Sequence, residues 1–372
     1  MKLSKIETWI TYPTLSDDSW SEIKPFLFVR LTTDTGIEGW GEAFTLPLRE
    51  SGIAEFIHKL SSIIVSMDNL LPSTFNYKAK EISNKHRGID FSAATNAIEI
   101  SLWDIQGKLK NKPLSHLLSN KIKDKIPVYA NTWSEKSPSI KALSERAVQL
   151  LDEGYGGIKI YPLQNRTIEE AAECVSSIRN SIGTKIPLML DLACPDDLNL
   201  AIRLAPLVSK FQPYWYEEPV DGEDIQSLIE IKKLTELRVV TGEKQFEIPH
   251  FKQLLKESAA DIFNPDIAAV GGILDMVAIS KLSSKKNVKI SPHCWNSMSI
   301  AASAMLHFCA ANDNTDMAEI YPEYLPHAKR FSDISFKINE GHATLNNKPG
   351  LGTEINVSSL SAICSDYKET TI

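Results

Sequence analysis

The stretch GGIKIYPLQNRTIEEAAECVSSIRNSIGTKIPLMLDLA, residues 156–193, has the pattern of a strand, a helix and a second strand. Its two ends, GGIKIYP (156–162) and IPLMLDLA (186–193), are short apolar runs of the kind that form buried strands. Between them, Thr167 and Glu170 have the spacing of a capping box and predict the start of a helix. A strand, helix and strand in this order predict two parallel strands joined by a right-handed crossover.

The same alternation continues along the chain. The eight predicted strands are IPVYAN (126–131), GGIKIYP (156–162), IPLMLDLA (186–193), YWYEEPV (214–220), RVVTGEK (238–244), DIFNPDIA (261–268), VKISPHCW (288–295) and MAEIYP (317–322). The first connecting helix is predicted to begin at Ser137 and Pro138, as an N-cap followed by a proline in the first turn. Eight such strands favour a closed β/α barrel over a doubly wound sheet, whose GxGxxG phosphate loop is not found in the sequence.

The regions before and after the predicted barrel have other patterns. FLFVRLTTDTGIEGWGEAF (26–44) predicts a hairpin and SAATNAIEISLWDIQGKLK (92–110) a helix, so the first region is expected to be α+β. ISFKINEGHATL (334–345) predicts another hairpin, which could rejoin the first domain. The predicted divisions are residues 1–122 for a capping domain, 123–325 for the barrel and 326–372 for a segment that returns to the capping domain.

Composition excludes several classes of protein. The chain has 372 residues, 43% of them hydrophobic and 23% charged, which is ordinary for a globular enzyme. Its formal net charge of -7 argues against nucleic acid as a partner, because nucleic acid requires a basic face. The five cysteines form no CxxC motif and predict reduced, buried thiols in a cytoplasmic protein. We expect no membrane partner, since no signal peptide or membrane-spanning run is recognisable.

Polar residues mark the end of nearly every predicted barrel strand. Lys159 and Tyr161 close the second strand and share a face, because alternate strand residues point the same way. The third to eighth strands end in Asp191, Glu217, Glu243, Asp266, His293 and Glu319, at nearly equal intervals. Since chemistry in a barrel takes place at the carboxyl ends of its strands, these groups are expected around one mouth.

Three of these groups predict a metal site. Asp191, Glu217 and Glu243 would repel one another in a cleft of low dielectric unless a cation neutralised them. Ligands that are all oxygen, with positions left open for substrate, favour Mg²⁺ over Zn²⁺. We therefore predict one Mg²⁺ per subunit. On the next two strands, Asp266 would fix the tautomer of His293 and raise its basicity, as suits a general acid or base.

The residues at the strand ends belong to a longer series of segments. They are GIEGWGEA (36–43), AIEISLWDIQGK (97–108), YEEP (216–219), TGEK (241–244), NPDIAAVGGI (264–273), PHCW (292–295) and PGLGTEI (349–355). In this order and spacing the chain resembles the enolase superfamily, specifically its mandelate racemase subgroup with its acid-sugar dehydratases. The resemblance implies an α/β protein, with an α+β capping domain over a modified (β/α)₇β TIM barrel. It also implies that a base removes the proton α to a carboxylate and that Mg²⁺ stabilises the enolate dianion.

The resemblance also implies roles for individual residues. Asp191, Glu217 and Glu243 would be the metal ligands, His293 with Asp266 an acid/base, and Glu319 a hydrogen-bond partner of the substrate carboxylate. The family commonly carries lysine-x-lysine on the second strand, whereas this chain carries Lys159-Ile160-Tyr161. Lys159 would still bind and stabilise the anionic substrate. Two interpretations of Tyr161 remain open: a base whose pKa is lowered by Lys159 and Mg²⁺, or a packing or hydrogen-bonding residue beside His293.

The reaction favoured by these residues is dehydration of an acid sugar to a 2-keto-3-deoxy acid, by a hydro-lyase. Tyrosine matches a reversible two-base racemase less well than lysine does. Racemisation, epimerisation or cycloisomerisation of a sugar acid or its lactone are the alternatives, and an inactive barrel used for binding is the alternative outside catalysis. Trp20 and Arg49, in loops of the capping domain, are candidate substrate contacts. We expect a small acid sugar as substrate and a homo-oligomer as the assembly.

Overall fold

The computed structural model describes residues 1–13, 24–134, 136–195, 197–295 and 297–372. Its strands are β1 (Leu3–Thr11), β2 (Phe26–Thr33), β3 (Glu38–Ala43), β4 (Ile126–Asn131), β5 (Ile158–Ile160), β6 (Leu188–Asp191), β7 (Trp215–Glu217), β8 (Val239–Thr241), β9 (Ile262–Phe263), β10 (Lys289–Ile290), β11 (Ala318–Ile320), β12 (Ser332–Asp333), β13 (Phe336–Asn339), β14 (His342–Leu345), β15 (Glu354–Ile355) and β16 (Cys364–Thr371). Its α-helices are α1 (Glu50–Val65), α2 (Pro72–Ser83), α3 (Ile89–Leu109), α4 (Leu114–Leu118), α5 (Ile140–Asp152), α6 (Ile168–Ile182), α7 (Leu198–Val208), α8 (Ile225–Thr235), α9 (Ile248–Glu257), α10 (Gly272–Ser284), α11 (Ser299–Ala310), α12 (Leu325–Ala328) and α13 (Val357–Ala362).

The first region is a sheet covered by helices. Its antiparallel strands lie in the order β16-β1-β2-β3, and the predicted hairpin is β2 and β3. Helix α3 packs on β3 at close range, since Gly41 carries no side chain where α3 passes. Apolar residues of β1, β2, α1 and α3, among them Ile6, Val29, Ile57 and Ile98, form a core separate from that of the barrel.

Strands β4 to β11 are the eight predicted barrel strands, and they run parallel. Each strand from β4 to β9 pairs with the next, up to β10. A bridge between Ile290 and Thr315 joins β10 to the segment before β11, and β11 pairs with β4. These pairings close the ring. The observed strands are shorter than the predicted ones, because only part of each predicted run pairs with a neighbouring strand.

Helix starts follow local hydrogen bonding. The capping box before α6 is confirmed: Thr167 Oγ1 accepts from the Glu170 amide at 3.2 Å, and Glu170 Oε2 accepts from the Thr167 amide at 2.8 Å. The predicted start at Ser137 is wrong. Ser137 has a φ of 46°, whereas Ser139 is extended and its oxygen accepts from the amide of Ala142. Ser139 is therefore the N-cap of α5.

The carboxyl-terminal segment contacts both parts of the molecule. Strand β16 pairs with β1 in the sheet of the first region. The predicted hairpin, now β13 and β14, does not rejoin that sheet: Ala343 of β14 pairs with Ile126 of β4. Gly341 makes this possible, because its carbonyl accepts from the Val128 amide at 3.0 Å and it lies against Gly156 without a side chain between them.

Two buried carboxylates attach the first region to the barrel. Glu42 of β3 accepts hydrogen bonds from the amides of Met298 and Ala301, at 2.7 and 2.9 Å, at the start of α11. Glu99 of α3 accepts from the amide of Leu274, at 2.9 Å, at the start of α10. Burial raises the pKa of each carboxyl group to about 7, although these amides oppose the shift. Each carboxylate thus occupies the amino-terminal end of a barrel helix, where the helix dipole is positive.

Cysteine burial differs in part from the prediction. Cys174, Cys294 and Cys309 are buried, whereas Cys194 and Cys364 are half-buried, and all five are free thiols.

Among the helices of the described residues, none is both long enough and apolar enough to cross a membrane.

Candidate active site

The barrel interior changes from apolar to polar along its strands. One interior layer is made of Tyr129, Met189, Trp215, Val240, Ile262 and Met317. Two positions after five of these residues lie Asn131, Asp191, Glu217, Asn264 and Glu319, and Lys159 of β5 joins this polar layer through its contacts with Asp191, Glu217 and Glu319. Alternate residues of a strand face the same side, so this second layer stacks directly on the first. It is the floor of the candidate site.

Lys159 is the central cation of that floor. Its Nζ lies 2.7 Å from Glu319 Oε1, 2.8 Å from Glu217 Oε1 and 3.1 Å from Asp191 Oδ2, and the side chain is fully buried. Burial opposes the charge, but Glu217 and Glu319 prevail and raise the pKa of Lys159 well above its ordinary value. The three ammonium hydrogens thus have three carboxylate partners, which hold the group charged and in place.

The predicted metal ligands are brought together. Asp191, Glu217 and Glu243 each offer an oxygen, and these oxygens lie within 4.8 Å of one another. Glu217 is held from both sides, by the Asn264 amide at 2.9 Å and the Trp215 indole at 2.8 Å. Glu243 Oε2 is buried without a hydrogen-bond partner in the described structure, and burial raises the pKa of Glu243 to about 7. Crowded, buried carboxylate oxygens of this kind fit a hard divalent cation.

His293 and Asp266 form the predicted pair. The two residues are bridged across parallel segments, and His293 Nδ1 lies 2.8 Å from Asp266 Oδ2. The other nitrogen, Nε2, lies 3.4 Å from Glu243 Oε2 and 3.7 Å from Glu319 Oε2. Burial disfavours the imidazolium, yet Glu243, Glu319 and Asp266 together raise the pKa of His293 to about 10. These carboxylates thus favour the imidazolium, which is the form that a general acid requires.

Glu319 has acceptor contacts on both oxygens. Oε1 accepts from Lys159 and from Asn131 Nδ2 at 2.9 Å, and Oε2 accepts from the Cys294 amide at 2.7 Å. Burial would raise the pKa of Glu319, but Lys159 and His293 lower it. An ionised carboxylate can only accept hydrogen bonds. The sequence predicted that Glu319 hydrogen-bonds to a substrate carboxylate. Such a bond needs a hydrogen between the two carboxyl groups, and the contacts of Glu319 in this structure are all as an acceptor.

Tyr161 lies beside this cluster in an aromatic setting. Its Oη accepts from Asn131 Nδ2 at 3.0 Å, and its ring meets Trp133 edge to face at 4.7 Å. Lys159 Nζ is 5.7 Å from the ring centroid and bonded to carboxylates. Burial raises the pKa of Tyr161 well above its ordinary value, against the opposing effect of Lys159. The lowered pKa expected from the sequence is therefore not produced by the protein's own groups.

Of the two predicted substrate contacts in the capping domain, Arg49 is not part of this cluster. Arg49 precedes α1 and contacts Asp90 at 3.3 Å, with both side chains exposed. Trp20 lies outside the described residues. Two residues of the site were missed by the sequence analysis, Asn131 and Asn264. Both occupy strand-end positions, and that position was the available signal, because a neutral amide carries no charge pattern in the sequence.

Comparison with known proteins agrees with this architecture. Residues 142–359 match the family described as enolase C-terminal domain-like, and residues 13–119 match the mandelate racemase / muconate lactonizing enzyme N-terminal domain. The chain is 26% identical over 371 residues to D-galactonate dehydratase of Pectobacterium atrosepticum, an alignment that covers 96% of this chain and 92% of the relative.

Solved structures extend the comparison. An enolase from the environmental genome shotgun sequencing of the Sargasso Sea is 45% identical, with a TM-score of 0.96 over 100% of this chain and 98% of that one. The 3,6-anhydro-D-galactonate cycloisomerase of Zobellia galactanivorans is 28% identical, with a TM-score of 0.90 over 98% of this chain and 100% of that one. Because both domain families match in order along the chain, and the second covers more than half of it, this chain belongs to the enolase superfamily, in its mandelate racemase and muconate lactonizing enzyme subgroup.

Proposed function

We propose that this protein is a Mg²⁺-dependent hydro-lyase that removes the proton α to the carboxylate of an acid sugar and eliminates water to give a 2-keto-3-deoxy acid. The observation that carries the proposal is the meeting of three groups at one mouth: the carboxylates Asp191, Glu217 and Glu243, the buried cation Lys159, and the pair His293–Asp266. The dehydratase relative supports the substrate class.

The three carboxylates would hold one Mg²⁺ per subunit. When bound, the ion supplies positive charge next to the substrate carboxylate, which favours loss of the otherwise weakly acidic α-proton. Lys159 adds a second, fixed positive charge from the protein itself. Its buried contacts with Asp191, Glu217 and Glu319 keep the ammonium group at one position on the barrel floor.

His293 would supply the proton to the leaving group. As the Cβ–O bond breaks, the Nε2 proton passes to the departing hydroxyl, which leaves as water, and the resulting enol tautomerises to the 2-keto acid. Asp266 accepts from Nδ1 and therefore presents Nε2 to the site. Tyr161, whose oxygen accepts from the Asn131 amide at the edge of this cluster, is the candidate base.

The test is incubation with Mg²⁺ and a panel of mono- and diacid sugars, assayed for 2-keto acids and for α-proton exchange in D₂O. We expect one or a few sugars to give a 2-keto acid, and a chelator to abolish its formation. His293→Asn should lose product formation under the same conditions. An enzyme that binds Mg²⁺ but neither exchanges nor dehydrates any acid sugar would support the inactive, binding-only barrel.

A second candidate is cycloisomerisation of an anhydro sugar acid. The 28% identity and TM-score of 0.90 to the Zobellia galactanivorans cycloisomerase favour it. The same α-proton abstraction would then open a ring ether, and no water would leave. Product mass distinguishes the two, because an isomer keeps the mass of its substrate whereas dehydration lowers it by one water.

We also propose the finer classification of the fold as a modified (β/α)₇β barrel. In the described residues, seven helices, α5 to α11, separate the strands β4 to β11, and only the four-residue α12 follows the last strand closely. The domain divisions at residues 122 and 325, the homo-oligomeric assembly and the single Mg²⁺ per subunit stay predictions with this proposal.

A further inference from the structure

We propose that Trp133 and Trp295 are substrate-binding residues whose indole N–H groups donate hydrogen bonds to hydroxyl oxygens of the sugar chain beyond its β-carbon. The substrate class then narrows to acid sugars that carry several hydroxyl groups past the leaving group, such as six-carbon aldonates. This inference rests on the proposed function and deepens it. It concerns two aromatic residues to which the sequence analysis assigned no role.

The two indoles stand one level above the polar floor of the site. Trp133 lies two positions after Asn131, the last residue of β4. Trp295 lies two positions after His293, beyond β10. The Trp133 ring meets the Trp295 ring edge to face, with 6.4 Å between centroids, and meets the Tyr161 ring in the same way at 4.7 Å. The three rings therefore form one continuous surface at the barrel mouth, the aromatic wall.

The mouth of the barrel thus has two unlike sides. At the corresponding level of the metal side, two positions after each predicted ligand, the chain places Ala193, Pro219 and Gln245. These side chains are small or uncharged and leave the carboxylates as the chemical feature of that side. A ligand that lies between the two sides meets charge at one end and aromatic rings at the other.

Unpaired polar atoms show what kind of ligand fits between the two sides. The Nε1 atoms of Trp133 and Trp295 are buried and have no hydrogen-bond partner among the described residues. An indole nitrogen can only donate, and a buried donor without a partner is unfavourable. Across the mouth, the equally buried and unpaired Glu243 Oε2 is an acceptor that belongs to the predicted metal site. A hydroxylated acid with its Mg²⁺ supplies a cation to the acceptor and oxygens to the two donors.

Neighbouring groups fix the positions of both indoles. The Trp133 amide donates to Asn131 Oδ1 at 2.7 Å, and the Trp133 carbonyl accepts from Tyr321 Oη at 2.8 Å. Lys24, just before β2, donates to the Trp295 carbonyl at 3.1 Å, and its Nζ lies 3.7 Å from the centroid of the Trp295 ring. Because the two donors are held in place by the protein, their hydrogen bonds to a ligand cost little ordering of the side chains.

The proposed chemistry determines which part of the substrate meets the indoles. Tyr161, the candidate acceptor of the α-proton, acts at the α-carbon, and His293 acts on the hydroxyl of the β-carbon. Trp133 packs against Tyr161, and Trp295 follows His293 by two residues, which in extended chain is about 6–7 Å further out. The carbons past the β-carbon therefore lie against the aromatic wall, where their hydroxyl oxygens can accept from the indoles.

A comparison of two ligands tests this inference. Six-carbon aldonates, and 2,3-dihydroxyhexanoates of the same configuration at the first two hydroxyl carbons, are titrated by calorimetry with Mg²⁺ into the His293→Asn protein, so that no ligand is dehydrated. A neutral hydrogen bond is worth roughly 3- to 10-fold in Kd. Adding Trp133→Phe or Trp295→Phe should weaken aldonate binding by that factor and change dihydroxyhexanoate binding by less than about twofold.

The contrary results are equally specific. An equal loss for both ligands would mean that the rings contribute packing alone, and no loss for either would mean that the indoles do not touch the ligand; both overturn the inference, as does failure of every six-carbon aldonate to bind. Trp9→Phe is the matched control, since Trp9 is a buried tryptophan of β1 whose Nε1 already donates to Ser361 Oγ at 3.1 Å. It should bind both ligands as the parent protein does, and a loss of aldonate affinity like that of the other two variants would also count against the inference.

The same titrations, compared with turnover by the wild type, separate this inference from the proposed function. An aldonate that is bound through the indoles, but neither exchanges its α-proton nor loses water, would contradict the proposed function and support the inference. An aldonate that is dehydrated with the same KM by the wild type, Trp133→Phe and Trp295→Phe would support the proposed function and overturn the inference.

Discussion

Lys159 keeps its charge in a fully buried position because three carboxylates surround it at 2.7 to 3.1 Å. A buried lysine without such partners would lose its proton, since desolvation disfavours the cation. Two of these carboxylates, Asp191 and Glu217, are the proposed metal ligands, and the third, Glu319, is the proposed contact of the substrate carboxylate. At the scale of single residues, the chemistry of this protein therefore depends on shared partners, and removal of one group changes the charge balance of its neighbours.

The assignment of metal ligands leads to a first prediction. Glu217→Gln removes one of three ligand charges, so Mg²⁺ affinity measured by titration calorimetry should fall by roughly 100-fold or more. Glu230→Gln, an exposed glutamate on α8, should bind Mg²⁺ as the wild type does. Unchanged affinity in Glu217→Gln would remove Glu217 from the ligand set.

A second prediction concerns the acid. His293→Asn should lower turnover of the accepted sugar by about 10²–10⁴-fold or more, because no other proton then reaches the leaving hydroxyl. Asp266→Asn should lose less, since it removes the orienting partner and leaves the imidazole. Calorimetry should show that both variants still bind Mg²⁺. Near-normal turnover in His293→Asn would mean that another residue protonates the leaving group.

Strand β3 and helix α3 pack closely in the first region, and two glycines of β3 make this contact possible. Strand β3 lies under α3, where a Cβ on Gly41 would collide with the backbone oxygen of Ala97. The neighbouring position Gly39 meets Ser101 of the same helix in the same way. Because backbone atoms cannot move aside as a flexible side chain can, these two glycines determine the distance between the strand and the helix.

A third prediction uses this contact and a matched control. Gly41→Ala should destabilise the protein by about 3 kcal/mol or more, since the clash is with backbone in a packed core. Gly52→Ala should instead stabilise it by roughly 0.5–1 kcal/mol, because Gly52 lies within α1 and a Cβ there meets no atom within 4 Å. Denaturant unfolding of both variants gives the comparison. Similar stabilities would contradict the close approach of α3 to β3.

At the scale of the whole molecule, Glu42 and Glu99 connect the first region to the barrel through the starts of α11 and α10. Burial raises the pKa of both groups from 4.5 to about 7. The folded protein therefore holds these protons more tightly than the unfolded chain does. Below pH 4.5 both states are protonated, and between about 4.5 and 7 the unfolded state loses the proton first.

A fourth prediction follows from that difference. The free energy of unfolding should fall as pH rises from about 4.5 to about 7, with a contribution from Glu42 of ~3 kcal/mol, and should level off above that range. Glu42→Gln should flatten the slope, and Glu99→Gln should do so independently. Chemical unfolding at a series of pH values measures it. Identical slopes in the wild type and both variants would contradict the burial of these carboxyl groups.

The sequence by itself determined the order of strands and helices along the chain, and the end of the barrel at which the ionisable side chains gather. Local patterns predicted eight strands, and chain order placed Asp191, Glu217, Glu243, Asp266 and His293 at successive strand ends, because a parallel barrel aligns those ends. Only the tertiary structure decided that the hairpin of β13 and β14 pairs with β4, that Lys159 has three carboxylate partners, and that Asn131 joins Tyr161 to Glu319. The reason is physical: strand and helix patterns are properties of near neighbours in the chain, whereas hydrogen-bond partners and the direction of a pKa shift depend on burial and on distances of a few ångströms between residues far apart in sequence.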